Sequence, residues 1–126
     1  MKQSNFIKLL VGISVLASLF HLLILIKVIP YDITWGGRLK TDQEMYVFET
    51  FSLVVNFFFI YVLLQKGHFV KAVFSPRALT LILWVFFALF TLNTLGNLFA
   101  KTTFERGFTV LTLLNALLLW QINKKV

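Results

Sequence analysis

Residues 35 to 56 read WGGRLKTDQEMYVFETFSLVVN, a stretch that begins in a water-exposed turn and ends inside an apolar run. Gly36 and Gly37 permit a tight turn, beside which Trp35 suits the membrane–water boundary. Thr41, followed three residues later by Glu44, is a capping box and predicts that a helix starts here. That helix continues to about residue 65 almost without charge, yet it carries Glu49 past its last loop-like residue. A polar turn, a helix start and a membrane-length segment holding one acid thus lie side by side.

Working outward, the same pattern recurs along the chain. Four apolar segments are expected as helices, roughly residues 6 to 29, 43 to 65, 77 to 100 and 104 to 123. Each has about 20 to 24 residues, enough to cross about 30 Å of hydrocarbon at about 1.5 Å per residue. Pro30 closes the first segment. Ser75 and Pro76 supply an N-cap and a first-turn proline for the third, and Thr102 with Glu105 repeats the capping box for the fourth. The 30-to-42 connection with its Gly-Gly turn is the long loop.

Composition agrees with these spans. Of 126 residues, 59% are hydrophobic and 13% charged, and fifteen are Phe; the mean hydropathy is +0.86. A soluble domain of this length has too little interior to hide so much apolar surface. With no cysteine, disulfides, thiolate metal sites and thiol catalysis are excluded. The net charge of +7 comes from basic residues placed singly at the ends of apolar runs, without the stripe or aromatic-basic motif of a nucleic-acid binder. Lys2 and Lys8 precede the first apolar run as in a secretion signal, but that run is too long and lacks a small-residue cleavage pattern. It is read as a mature transmembrane helix.

Charge asymmetry gives the expected orientation. With four crossings, Lys2, Lys8, Lys66, Lys71, Arg77, Lys124 and Lys125 fall on one side with no acid. Lys27, Arg38, Lys40, Lys101 and Arg106 fall on the other with Asp32, Asp42, Glu44, Glu49 and Glu105, summing to zero. The basic side is expected to be cytoplasmic. The fold class expected is all-α: a polytopic membrane protein, a single four-transmembrane-helix bundle with both termini cytoplasmic, in a cell membrane such as the bacterial inner membrane.

Polar side chains within the spans define candidate sites, because in lipid they normally face the bundle interior or a wet cavity. Ser14, Ser18 and His21 fall within roughly 60° of one another on the first helix, and Glu49, Ser52 and Asn56 do the same on the second. Asn93, Asn97 and Lys101 form a stripe on the third helix, and Thr112 and Asn115 lie together on the fourth. Counted from the outer helix ends, His21, Glu49 and Asn93 lie at about 10 to 12 Å and Asn97 at about 6 Å. Thr112, Asn115 and Asn56 continue to about 14 to 21 Å, and below them the cytoplasmic halves read as almost purely apolar.

The candidate site is therefore an outward-facing polar pocket lined by His21, Glu49, Asn56, Asn93, Asn97 and Asn115. Lys101, Arg106 and Arg38, the last folding over from the Gly-Gly turn, are candidate ion-pair or lid residues. Beside this stands a structural reading: Glu49 ion-paired to a cation at the helix tops, and the amides serving as interhelical hydrogen bonds of about 0.6 to 2 kcal/mol each. Lys27 is expected to reach the outer headgroups. Trp84, Trp120 and Phe57 to Phe59 read as packing or lipid contacts.

Several chemistries find no residues. A zinc site needs more than His21, since His68 lies at the opposite end. No phosphate-binding glycine loop or nucleophile elbow is present, and no cofactor or metal is expected.

The whole chain resembles small bacterial four-helix integral membrane proteins of unassigned function. Three stretches, LFHLL in the first helix, FETFSLVVNFF opening the second, and the QKGHFVKAVFSPRAL hairpin, are similar to the EXPERA group of sigma-2 receptor and sterol isomerases. That similarity implies four or five helices around a pocket for a hydrophobic amine or sterol, lined by membrane acids. Where the group has an acid at the outer end of the third helix, this chain has Asn93 and Asn97.

Four functions compete. First is binding or transport of a small polar or amphiphilic ligand, in which a proton-coupled transporter would use Glu49 and His21 as its titrating pair. A non-catalytic structural or regulatory subunit of a membrane complex follows, then an oligomeric channel. An enzyme using Glu49 and His21 for proton transfer ranks last. Expected partners are membrane lipids, a small amphiphilic ligand, and a second copy or a membrane partner protein, with no nucleic acid.

Overall fold

The computed structural model describes residues 3–31, 40–99 and 103–124, with side chains of the last segment from 106 onward. Four helices follow one another: α1 (Gln3–Leu25), α2 (Asp42–Lys66), α3 (Pro76–Leu98) and α4 (Thr103–Lys124). Three of them, α1, α2 and α3, are long and apolar enough to cross a membrane. The 22-residue α4 is interrupted by Arg106, Asn115, Gln121 and Asn123.

Local chemistry sets most of the helix ends. Thr41 is the N-cap of α2, where its hydroxyl accepts the Glu44 N–H and the Glu44 carboxylate accepts the Thr41 N–H. Ser75 caps α3 by accepting the Ala78 N–H, with Pro76 in the first turn. The expected Thr102–Glu105 box lies outside the described side chains. At its C-terminal end α1 stops at Leu25, short of Pro30. Lys27 adopts φ 66°, and the Lys27 and Val28 N–H groups donate to Ile24 and Leu23. This is a Schellman stop built without glycine. His68, at φ 63°, repeats it after α2, donating to Gln65 while Phe69 donates to Leu64.

Consecutive helices run antiparallel. α1 and α2 pair closely, α3 and α4 more closely still, and the contacts of α1 with α4 and α2 with α3 are thinner. The bundle is thus two helical hairpins laid side by side. Its main core lies in the half nearer the α1 N-terminus, where Ile7, Leu10, Phe59, Val62, Leu63, Leu83, Leu119 and Ile122 are almost completely buried. Phe59 joins the hairpins there, its ring 4.4 Å from that of Phe86 and 5.4 Å from that of Phe90. A small cluster at the other end buries Ile24 against Met45, with Phe20, Leu25, Ile29 and Tyr31 around them.

Outward, every helix presents large apolar side chains: Leu16, Phe51, Leu81 and Val110 are all more than three-fifths exposed. Water does not tolerate apolar surface on this scale, whereas acyl chains do. The architecture is that of a helical membrane protein.

Candidate functional site

Between the two apolar clusters lies a polar layer. Its centre is Glu49, fully buried on α2, whose Oε2 shares a hydrogen bond with Nδ1 of His21 on α1 at 2.5 Å. His21 keeps 24% of its side chain exposed. Sequence spacing explains the meeting. Glu49 is one turn beyond Met45, His21 one turn before Ile24, and the Ile24–Met45 contact fixes the register of the two antiparallel helices. The same contact packs one turn from the pair, toward the α1–α2 connection.

The rest of the layer is distributed over all four helices. Ser14 and Ser18 are buried on α1, and the Ser18 hydroxyl donates to the Ser14 carbonyl at 2.9 Å. Ser52 likewise donates to the Phe48 carbonyl of its own helix. Thr94 of α3 and Thr112 of α4 join through their hydroxyls at 3.0 Å. Asn115 is buried, and its Oδ1 has no hydrogen-bond partner among the described residues; the same holds for the Thr109 hydroxyl. Phe20 carries the α1 side across to α4, its ring 5.3 Å from that of Phe108.

The structure therefore brings His21 and Glu49 into direct contact and buries Asn115. It leaves Asn56 and Asn97 half-buried and Asn93 exposed. Arg106 is exposed in the first turn of α4. The candidate lid and ion-pair residues Arg38 and Lys101 lie outside the described residues. Lys27 pairs with Asp42 across the mouth of the first hairpin and lies 5.8 Å over the Tyr46 ring. The Asp42 hydrogen bond, opposed by desolvation and reinforced by Asp42's charge, holds the Lys27 ammonium above its ordinary pKa.

Chemically, a carboxylate and an imidazole in contact can hold, accept or pass a proton. On α4 the buried Asn115 side-chain oxygen, without a hydrogen-bond partner among the described residues, is a further acceptor within the bundle. Among the described residues no group of three His, Cys, Asp or Glu side chains stands ready to hold a metal ion.

A second set of polar residues escaped the sequence reading, which took the helix halves nearer the chain termini as almost purely apolar. Gln65 and Asn123 are almost completely buried there. Gln65 Oε1 accepts the Val73 and Phe74 N–H groups at 2.7 and 3.1 Å, Asn123 Nδ2 donates to the Thr80 carbonyl, and Gln3 Nε2 donates to the Ile122 carbonyl. Amides in the last turn of a helix normally read as reaching water, so no local signal marks them as buried ties between elements.

The chain matches no protein-family model, and no curated protein or solved structure is significantly similar to it.

Proposed function

We propose that the chain is a multi-pass protein of a cell membrane, the bacterial inner membrane being the expected one. In this reading α4 is the fourth span, both termini are cytoplasmic, and the polar layer binds or transports a small polar or amphiphilic ligand entering from the outer side. One observation carries it: Glu49, a carboxylate buried completely between membrane-length helices and hydrogen-bonded to His21. Ionisable groups at this depth are costly, and function is the usual reason a sequence keeps them.

Asn115 supports the same reading, since a buried carbonyl oxygen without a partner costs about 1–3 kcal/mol unless something else satisfies it. The ligand supplies that partner. In this reading the ligand enters past half-buried Asn97, near the α3 end of the α3–α4 hairpin.

A structural role is the second reading, favoured by the Ile24–Met45 contact that packs directly over the pair. There His21 and Glu49 fasten α1 to α2, and the protein serves as a non-catalytic subunit.

Glu49→Gln separates the two. It keeps the shape and a hydrogen bond while removing the ionisable group. Ligand binding or uptake lost in a folded Glu49→Gln protein supports the first reading; binding or uptake that survives unchanged rejects it.

A further inference from the structure

The opposite end of the bundle carries a surface of another kind. Lys66 closes α2, Arg77 sits in the first turn of α3, and Lys71 lies midway along the connection between them. Lys8 reaches over from α1 to within 5.8 Å of the Phe69 ring centroid. Lys66 Nζ donates to Thr80 Oγ1 at 2.9 Å, which draws it toward the face of α3 that Arg77 shares, three residues before Thr80. None of the five acids belongs to this end in the sequence, and the first turn of α3 has none. The dipole of α3 adds positive potential beside Arg77, while that of α2 favours the Lys66 cation at its C-terminal end.

This connection is held in one shape. Gln65 grips the Val73 and Phe74 N–H groups from beneath, and Phe74 packs on the core with its ring 6.2 Å from that of Phe58. The Phe69 ring folds over Gly67 so closely that a Cβ there would lie 2.5 Å from it. With the backbone fixed, Phe69, Val70 and Val73 remain 44%, 38% and 71% exposed, interleaved with the exposed Lys71. A pinned loop alternating apolar and basic side chains at the ends of membrane helices belongs in the headgroup layer.

We propose that the 67–75 connection and its flanking cations form a binding site for an anionic phospholipid. The lipid phosphodiester sits among Lys8, Lys66, Lys71 and Arg77, and its acyl chains run along Phe69, Val70 and Val73. Guanidinium and ammonium groups match phosphate oxygens, and Lys66 has two N–H donors left after Thr80. This site is independent of the Glu49 layer.

Native mass spectrometry of the purified full chain, titrated with phosphatidylglycerol and separately with phosphatidylcholine, tests it. Phosphatidylglycerol is expected to bind preferentially, with Lys71→Gln and Arg77→Gln each lowering its binding constant about fivefold. Gln65→Leu, which removes no charge but frees the loop, lowers it too, whereas Lys40→Gln, an equal charge loss at the other end, leaves it unchanged. Equal binding of the two lipids, or a loss in Lys40→Gln matching that in Lys71→Gln, overturns the proposal. The comparison of those two exposed lysines decides the matter even where Gln65→Leu lowers stability.

Discussion

His21 and Glu49 stand 28 residues apart in sequence and 2.5 Å apart in space, joined between antiparallel helices with an apolar cluster on either side. Fully buried Glu49 has given up water, and His21 is what replaces part of it. A double-mutant cycle of His21→Leu and Glu49→Met, each of which removes the hydrogen bond outright, read by unfolding in mixed micelles, is expected to give a favourable coupling of about 1 kcal/mol or more. Additive effects would mean that the contact carries no stability.

Helix capping gives a second check. Thr41→Ala removes the acceptor for the Glu44 N–H, and Ser75→Ala removes the acceptor for the Ala78 N–H. Each is expected to cost about 1 kcal/mol in the same unfolding measurement.

The left-handed residues offer a substitution that stabilises. His68 holds φ 63° at the stop of α2, and its backbone N–H, not its side chain, makes the bond to Gln65 that closes the helix. His68→Gly is expected to raise stability by about 1 kcal/mol. Lys27→Gly relieves the same strain but sacrifices the pair with Asp42, and is expected to gain less.

The Lys27–Asp42 pair has a defined pH signature. Because the hydrogen bond to Asp42 raises the Lys27 pKa above 10.5, the stability it adds is fully present below that value. It is lost as pH rises through the folded-state pKa. The difference between wild type and Lys27→Gln is thus expected to stay constant through neutral pH and to shrink above 10.5, and again at the acid end as Asp42, whose pKa the same hydrogen bond lowers, takes up a proton. Thermal melts across an alkaline series measure it.

Orientation can be read by single-cysteine labelling, which the chain's lack of native cysteine makes clean. A membrane-impermeant maleimide is expected to modify Lys40→Cys in intact cells and Lys71→Cys only after permeabilisation. The reverse pattern would invert the proposed topology.

Much of the fold was legible because its signals are local. Thr41 with Glu44, and Ser75 with Pro76, announce α2 and α3 to within a residue or two, and apolar length announces the helices. The end of α1 was not legible. Its stop rests on Lys27 at positive φ, and a lysine there carries none of the signal that glycine would. In the site, helical periodicity put His21 and Glu49 on the inner faces of neighbouring helices at one depth, which is what lets them meet. The exposure of Asn93 was hidden from that reasoning, since periodicity fixes which residues share a face but not how far α3 stands from α2. Gln65 and Asn123 were missed because their burial comes from the packing of helix ends and the return of the 67–75 connection, both long-range effects.

The most direct measurement is lipidomic and native mass spectrometric analysis of the protein taken gently from its own membrane, with Glu49→Gln prepared in parallel. A defined small molecule that accompanies the wild type and is absent from an equally folded Glu49→Gln protein is the predicted result. A wild type that carries no such molecule, beside a Glu49→Gln protein that is merely less stable, would contradict the ligand-binding account and leave Glu49 as a structural tie between α1 and α2.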